Sequence, residues 1–242
     1  MTTSAATAAT ESLSLDTARL KAARWRRRAG MLSLAGAGVI TLAGFLVEPW
    51  AATAGDAAEY QAFVDQPTRA MLAAVLLHFG YLLFVPAAFA LLPIAVHRGR
   101  RLAHVGIVFA VLGAGESGIL VIDFYNLAIS RSIGAQQAVA LGTQQDQVMS
   151  GIALIALPSM IGLLLGAVLM AFAQWRGRLV RLWVPIVTTA GMLGITFLGT
   201  TFLPAVIACA VLTVGLLAQA DGLRRCPDSV YATGGWSGSN DA

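Results

Sequence analysis

The sequence is poor in charge, and lysine is nearly absent. Charged residues make up 12% of the 242 residues, whereas soluble domains carry about 25%. So few charges could not cover a water-soluble fold of this size, which excludes that class. The two cysteines make no disulfide framework, because Cys209 lies in an apolar run and Cys226 lies beyond it.

Motifs for metals, nucleotides and cofactors are missing too. The chain contains no HExxH, P-loop, CxxC or Rossmann glycine pattern. A haem between two helices needs two histidines at matching depth, and His78 has no such partner because the other two histidines flank a polar loop. The sequence therefore predicts no cofactor and no metal site, and it makes an enzyme the less favoured class.

Apolar residues dominate what is present. They form 57% of the chain, and the mean hydropathy is +0.75, which excludes intrinsic disorder. Their arrangement in long runs predicts an all-α, polytopic integral membrane protein. Fifteen of the sixteen basic residues are arginine, and this usage is typical of a bacterial genome rich in GC.

The apolar runs predict a bundle of six transmembrane helices, since a bilayer core of about 30 Å needs about 20 residues per helix. The last stretch, 182–220, is too long for one helix, and the segment from Gly199 to Pro204 offers a turn within it. Five spans are the alternative, if that stretch is one tilted helix and a surface segment. The predicted spans are 29–50, 70–96, 102–125, 149–175, 182–199 and 204–220.

Basic residues predict the orientation through the positive-inside rule. Fourteen of the sixteen lie before span one, in the loops after spans two and four, or after span six, and only Arg69 and Arg131 lie on the other side. Both termini are therefore expected in the cytoplasm, with the protein in the plasma membrane. Residues 1–28 are an N-terminal tail, basic near the membrane, and 222–242 a disordered C-terminal tail.

The same charge distribution decides which partners to expect. The formal net charge of +4 does not indicate a nucleic acid, because the basic residues follow the membrane side rather than one domain. We expect the lipid bilayer as partner, and possible subunits are other membrane proteins or a second copy of the chain. Segment 126–148 is either a short interfacial helix or a solvated loop.

Small and weakly polar residues indicate how the helices pack. Gly162 and Gly166 form a GxxxG pattern in span four, which lets two helices approach closely. Prolines within spans are expected to kink them. Threonines give span five a polar edge, and the favoured interpretation is that their hydroxyls bond to the preceding helical turn. These threonines are Thr188, Thr189, Thr196, Thr200 and Thr201.

Three ionisable residues fall at membrane depth, where each costs about 2.5–3.5 kcal/mol to insert. His78 and Glu116 lie about 12 and 13 Å below the outer ends of spans two and three, so neighbouring helices would bring them to one level. Asp123 follows Glu116 by seven residues and shares its helical face. The three residues predict a pathway for protons or cations, and the alternative is a buried pair that fixes helix register.

Three function classes remain open. The first is a proton- or cation-coupled carrier or channel that uses His78, Glu116 and Asp123. The second is a non-catalytic accessory or scaffold subunit of a larger membrane complex. The third is an intramembrane enzyme, since Gly115–Gly118 resembles the GxSG motif of rhomboid proteases, which implies Ser117 as nucleophile. In that family the histidine that acts as the catalytic base comes after the serine in the sequence, but all three histidines here precede Ser117.

Overall fold

In the computed structural model, most of the described residues are helical. These contain no strand. They are residues 3–51, 56–91, 93, 99–115, 128–148, 150–198 and 201–233.

Within these residues ten helices have defined bounds, and residues 128–133 are helical as well. The ten are α1 (Thr3–Val47), α2 (Asp56–Asp65), α3 (Pro67–Leu82), α4 (Phe84–Ala90), α5 (Arg100–Gly113), α6 (Ala135–Val148), α7 (Ser150–Arg176), α8 (Trp183–Leu198), α9 (Phe202–Arg225) and α10 (Asp228–Thr233).

In the part of the chain that the structure describes, four helical stretches are long and apolar enough to cross a membrane. They are Thr17–Val47, Pro67–Ala90, Leu157–Arg176 and Phe202–Arg225. Helix α8 is apolar but has 16 residues, or about 24 Å. Helix α5 has 14 residues, and the rest of the third predicted span lies outside the described residues. The membrane class of the prediction is supported, and the count of six spans stays a prediction.

The long helices form a ring in which each packs on its neighbours. Helix α1 contacts α3 and α4 on one side and α9 on the other, and α9 contacts α8. Helix α7 contacts both α8 and α5, and α4 contacts α5, which closes the ring. The core lies within this ring and includes Leu34, Phe84, Met170, Leu216 and Leu223.

Two of the predicted apolar runs are each divided into two helices. The second span is divided at Leu83, between α3 and α4, because Pro86 lacks the N–H that would bond to the carbonyl of Leu82. The 182–220 stretch is divided too, since α8 ends at Leu198 and α9 begins at Phe202. Two helices rather than one tilted helix therefore occupy this stretch, as the six-span prediction requires.

The C-terminal segment differs from the sequence prediction. Helix α9 continues to Arg225, and α10 follows at once, so the segment predicted as a disordered tail from residue 222 is helical over most of its described part. The cause is burial, because Cys226 and Tyr231 pack into the core. At the other terminus, α1 begins at Thr3. Within 126–148, α6 forms a helix and contacts α2.

Candidate functional site

His78 lies on α3 beside the face that packs on α1. Its neighbours Leu77 and Gly80 are buried, and a Cβ atom on Gly44 of α1 would lie 2.8 Å from Leu77 Cγ. His78 itself is half-buried, and its ring meets the ring of Phe79 edge-on with 5.3 Å between centroids. The histidine therefore stands at the border between the α1 contact and the outer face of the bundle.

Glu116 and Asp123 lie outside the described residues. The predicted His78–Glu116 pair and the line to Asp123 therefore stay predictions. The chain is described up to Gly115, which lies so close to α7 that an added Cβ atom would collide with Ser159 Oγ. The segment leading to Glu116 is thus held against α7.

Gly162 and Gly166 lie where α7 meets α5. A Cβ atom on Gly162 would come within 2.6 Å of the backbone nitrogen of Gly113, and one on Gly166 within 2.7 Å of that of Ala110. Gly113 in turn would collide with the backbone of Leu163. The two helices therefore touch backbone to backbone, which only residues without a side chain permit here.

A chain of buried, neutral hydrogen bonds joins three other helices. Gln174 of α7 donates from Nε2 to Gln219 Oε1 of α9 over 2.8 Å. Gln219 donates from its own Nε2 to Thr188 Oγ1 of α8 over 3.0 Å. All three residues are at most 1% exposed. We call these residues the amide chain.

Glycines bring the helices close enough for the amide chain to form. A Cβ atom on Gly215 of α9 would collide with Thr188 Oγ1, and one on Gly191 of α8 would lie 2.6 Å from Leu212 Cα. Helices α8 and α9 are therefore held at the separation that lets Gln219 reach Thr188. The amide chain lies where three helices meet and holds their register.

Two buried acceptor oxygens have no hydrogen-bond partner among the described atoms, namely Gln174 Oε1 and Thr41 Oγ1. Thr213 differs, since its Oγ1 lies 3.0 Å from the carbonyl oxygen of Gly38 and 2.8 Å from that of Cys209. Amides and hydroxyls do not titrate near neutral pH. The described interior polar groups can therefore bind helices together, but they cannot carry a proton by changing charge.

A second polar cluster lies at the opposite ends of the chain, which meet at one end of the bundle. Asp228 of α10 pairs with Arg24 Nε over 2.7 Å and with Arg27 Nη2 over 2.8 Å. Arg27 also donates to the carbonyl oxygen of Arg224 over 2.8 Å, which caps the end of α9. Tyr231 donates from its hydroxyl to the carbonyl oxygen of Ala90 over 2.5 Å. We call Arg24, Arg27, Asp228 and Tyr231 the C-terminal latch.

The environment of the latch shifts the pKa values of its acidic groups in opposite directions. Hydrogen bonding from Arg24, with further help from Arg27, holds the pKa of Asp228 below its ordinary value. Burial raises the pKa of Tyr231 to about 12. Asp228 is therefore ionised and Tyr231 neutral at pH 7, and each is in the state that its bonds require.

The sequence reasoning missed Gln174, Gln219 and the latch. The predicted site consists of ionisable residues, whereas Gln174 and Gln219 are neutral amides within the predicted spans 149–175 and 204–220. The feature that could have revealed them is a polar side chain within an otherwise apolar run. Thr189 and Thr196 return their hydroxyls to the carbonyls of Pro185 and Met192, as the favoured interpretation of span five expects. Thr188 differs, because it accepts the bond from Gln219.

Comparisons do not assign a function to these residues. Among the described residues, no group of three His, Cys, Asp or Glu side chains could hold a metal ion. Searches of protein-family models, curated proteins and solved structures give no match.

Proposed function

We propose that the protein is a six-span bundle of a bacterial plasma membrane with both termini in the cytoplasm. The support is that basic segments from distant parts of the chain meet at one end of the bundle. Gly99, next to Arg100, lies against Ala173 and Arg176, and Arg27 contacts the end of α9. By the positive-inside rule this end is cytoplasmic.

Within that membrane, the protein acts as a non-catalytic scaffold or accessory subunit. The observation that carries this proposal is the backbone contact between helices at Gly113, Gly162, Gly166 and Gly191. These contacts oppose any movement that separates α5 from α7 or α8 from α9, whereas a transport cycle moves one group of helices against another. Interiors packed this closely favour one rigid arrangement.

The polar groups of the interior support the same role. The fully buried polar residues of the described part are all Ser, Thr or Gln, so these positions hold no charge that a coupled ion could bind. The amide chain instead ties α7, α8 and α9 together. A tightly packed bundle whose described core is neutral presents its outer helices in fixed positions, as an accessory subunit must.

The outer faces offer large apolar side chains to lipid or to partner helices. On α3 and α4 the exposed residues include Phe79 and Phe89, and on the other side of the bundle they include Phe197 and Leu203. In a scaffold, one such face binds the partner.

The experiment is native mass spectrometry of the full chain, released from its own membranes in mild detergent. A photo-crosslinking residue at Phe79 and, as its matched pair, one at Phe197 compare the two faces. The scaffold proposal predicts one stoichiometric membrane-protein adduct from one of the two faces. Equal adducts from both faces, or lipid adducts only, would contradict it.

A second candidate is the proton- or cation-coupled carrier with His78, Glu116 and Asp123 on its pathway. The observation that favours it is His78, a titratable side chain half-buried on a membrane-length helix. The matched variants are His78→Gln and His104→Gln, since His104 is exposed at the basic end. A carrier predicts that the first variant alone abolishes an ion flux. The scaffold predicts no flux to abolish.

A further inference from the structure

The outward face of α1 carries an unusual sequence of side chains where the helix leaves the bundle. Trp25 is 73% exposed, the largest exposure among the large apolar residues of the described part. Lys21 and Arg28, one helical turn below and above it, are exposed as well. At 100° per residue, the three side chains fall within about 60° of one another on the helix.

This face continues directly into a line of apolar side chains along the same helix. Leu32, Val39 and Leu46 follow Trp25 at intervals of seven residues and are all exposed. They share the same sector of about 60°. Because the stretch Thr17–Val47 is of membrane-spanning length, this line faces the acyl chains, and Trp25 stands about 10 Å beyond Leu32.

The charges on this face differ from those on the inner side of α1. Arg24 and Arg27 are paired with Asp228. Among the side chains that the structure describes, which begin at residue 17, no carboxylate pairs with Lys21 or Arg28. Two cations that flank an exposed indole beside the acyl chains match the negative charge and the interfacial depth of a phospholipid phosphate.

We propose that Lys21, Trp25 and Arg28 form a binding site for the headgroup of an anionic phospholipid. The two cations contact the phosphate, and the Trp25 ring lies at the level of the headgroup and upper acyl chain. The site favours a lipid over free phosphate, because the apolar line of Leu32, Val39 and Leu46 can contact an acyl chain, which an inorganic ion lacks. This proposal is independent of the scaffold function.

The test is a titration of the full-length protein in a neutral detergent with phosphatidylglycerol, with bound lipids counted by native mass spectrometry. The variant K21Q/R28Q removes both charges of the site. The matched control R19Q/R26Q removes two exposed arginines that point at least about 100° away from Trp25. Phosphatidylcholine serves as the neutral lipid, and inorganic phosphate as the competitor.

We expect K21Q/R28Q to weaken phosphatidylglycerol binding roughly 30-fold, from about 1 kcal/mol per basic residue at a membrane surface. The control R19Q/R26Q changes it less than about threefold, and phosphatidylcholine binds equally weakly to all forms. A third variant, W25A, weakens binding without a change in charge. Equal losses in both double variants would overturn the site, as would no loss in K21Q/R28Q. Full displacement by millimolar phosphate would assign it to a free anion instead.

Discussion

Among the described helices, the polar side-chain contacts inside the bundle are neutral, whereas those that hold Asp228 at the basic end are ionic. Gln174, Gln219 and Thr188 join three helices without any charge. At the basic end, Asp228 joins α10 to α1 through two arginines. The two kinds of contact differ because they lie at different depths in the membrane. A charge within the bilayer costs several kilocalories per mole, whereas water solvates a charge at the basic end of the bundle. The same helices are therefore held by packing and amides within, and by ion pairs outside.

The largest effect is expected where helices touch backbone to backbone. Gly162→Ile forces a branched side chain into the backbone of α5, and overpacking at such a contact costs up to about 3 kcal/mol. The measurement is the free energy of unfolding in mixed micelles, titrated with a denaturing detergent. Ile161→Phe enlarges an exposed side chain of the same helix and should leave stability unchanged. Equal stability of both variants would show that α5 and α7 do not pack tightly.

The amide chain comes next. Gln219→Leu removes both hydrogen bonds and leaves Gln174 and Thr188 buried without their partner, which costs about 2 kcal/mol. The double variant Q174L/Q219L replaces both amides with apolar groups and should lose less than the sum of the single variants. A double-mutant cycle in the same unfolding assay measures this coupling. Strictly additive losses would mean that the two amides do not bond.

At the basic end, Tyr231→Phe removes the bond to the carbonyl oxygen of Ala90 and should cost about 1 kcal/mol. Burial of the Tyr231 hydroxyl also gives an alkaline pH dependence. The pKa of Tyr231 is raised to about 12 in the folded protein, so its contribution is complete below the ordinary tyrosine pKa of 10 and is lost as pH rises towards 12. Amide hydrogen exchange of residues 226–233 reports this loss. Identical exchange in the phenylalanine variant at pH 9 would contradict the bond.

The smallest effect is expected from the ion pairs of the latch. Asp228→Asn should speed amide exchange in α10 about threefold, since solvent-accessible ion pairs contribute little. Because the folded pKa of Asp228 is lowered, its stabilisation is present above the ordinary carboxyl pKa and fades as pH falls through the folded value. High salt should reproduce the variant. Salt-independent exchange would exclude an ionic latch.

The sequence predicted the features that the bilayer requires, namely long apolar helices. It did not predict the contacts that tertiary packing forms between those helices. Apolar runs predicted the helices, and the Gly199–Pro204 segment predicted the break between α8 and α9, because both follow from local chemistry. The amide chain depends on which faces of α7, α8 and α9 meet. These contacts between helices cannot be read from a single sequence. Tyr231 lies in a polar segment, so only its burial between distant elements reveals its role. Glu116 and Asp123 keep the status of predictions.

The most direct test of the rigid scaffold is proton flux in liposomes that contain only this protein. An imposed potential drives protons inward, and a trapped pH-sensitive dye reports their entry. A rigid scaffold predicts a rate equal to that of protein-free liposomes, in the wild-type chain and in Glu116→Gln alike. A faster rate in the wild-type chain that Glu116→Gln abolishes would contradict the scaffold and establish the carrier.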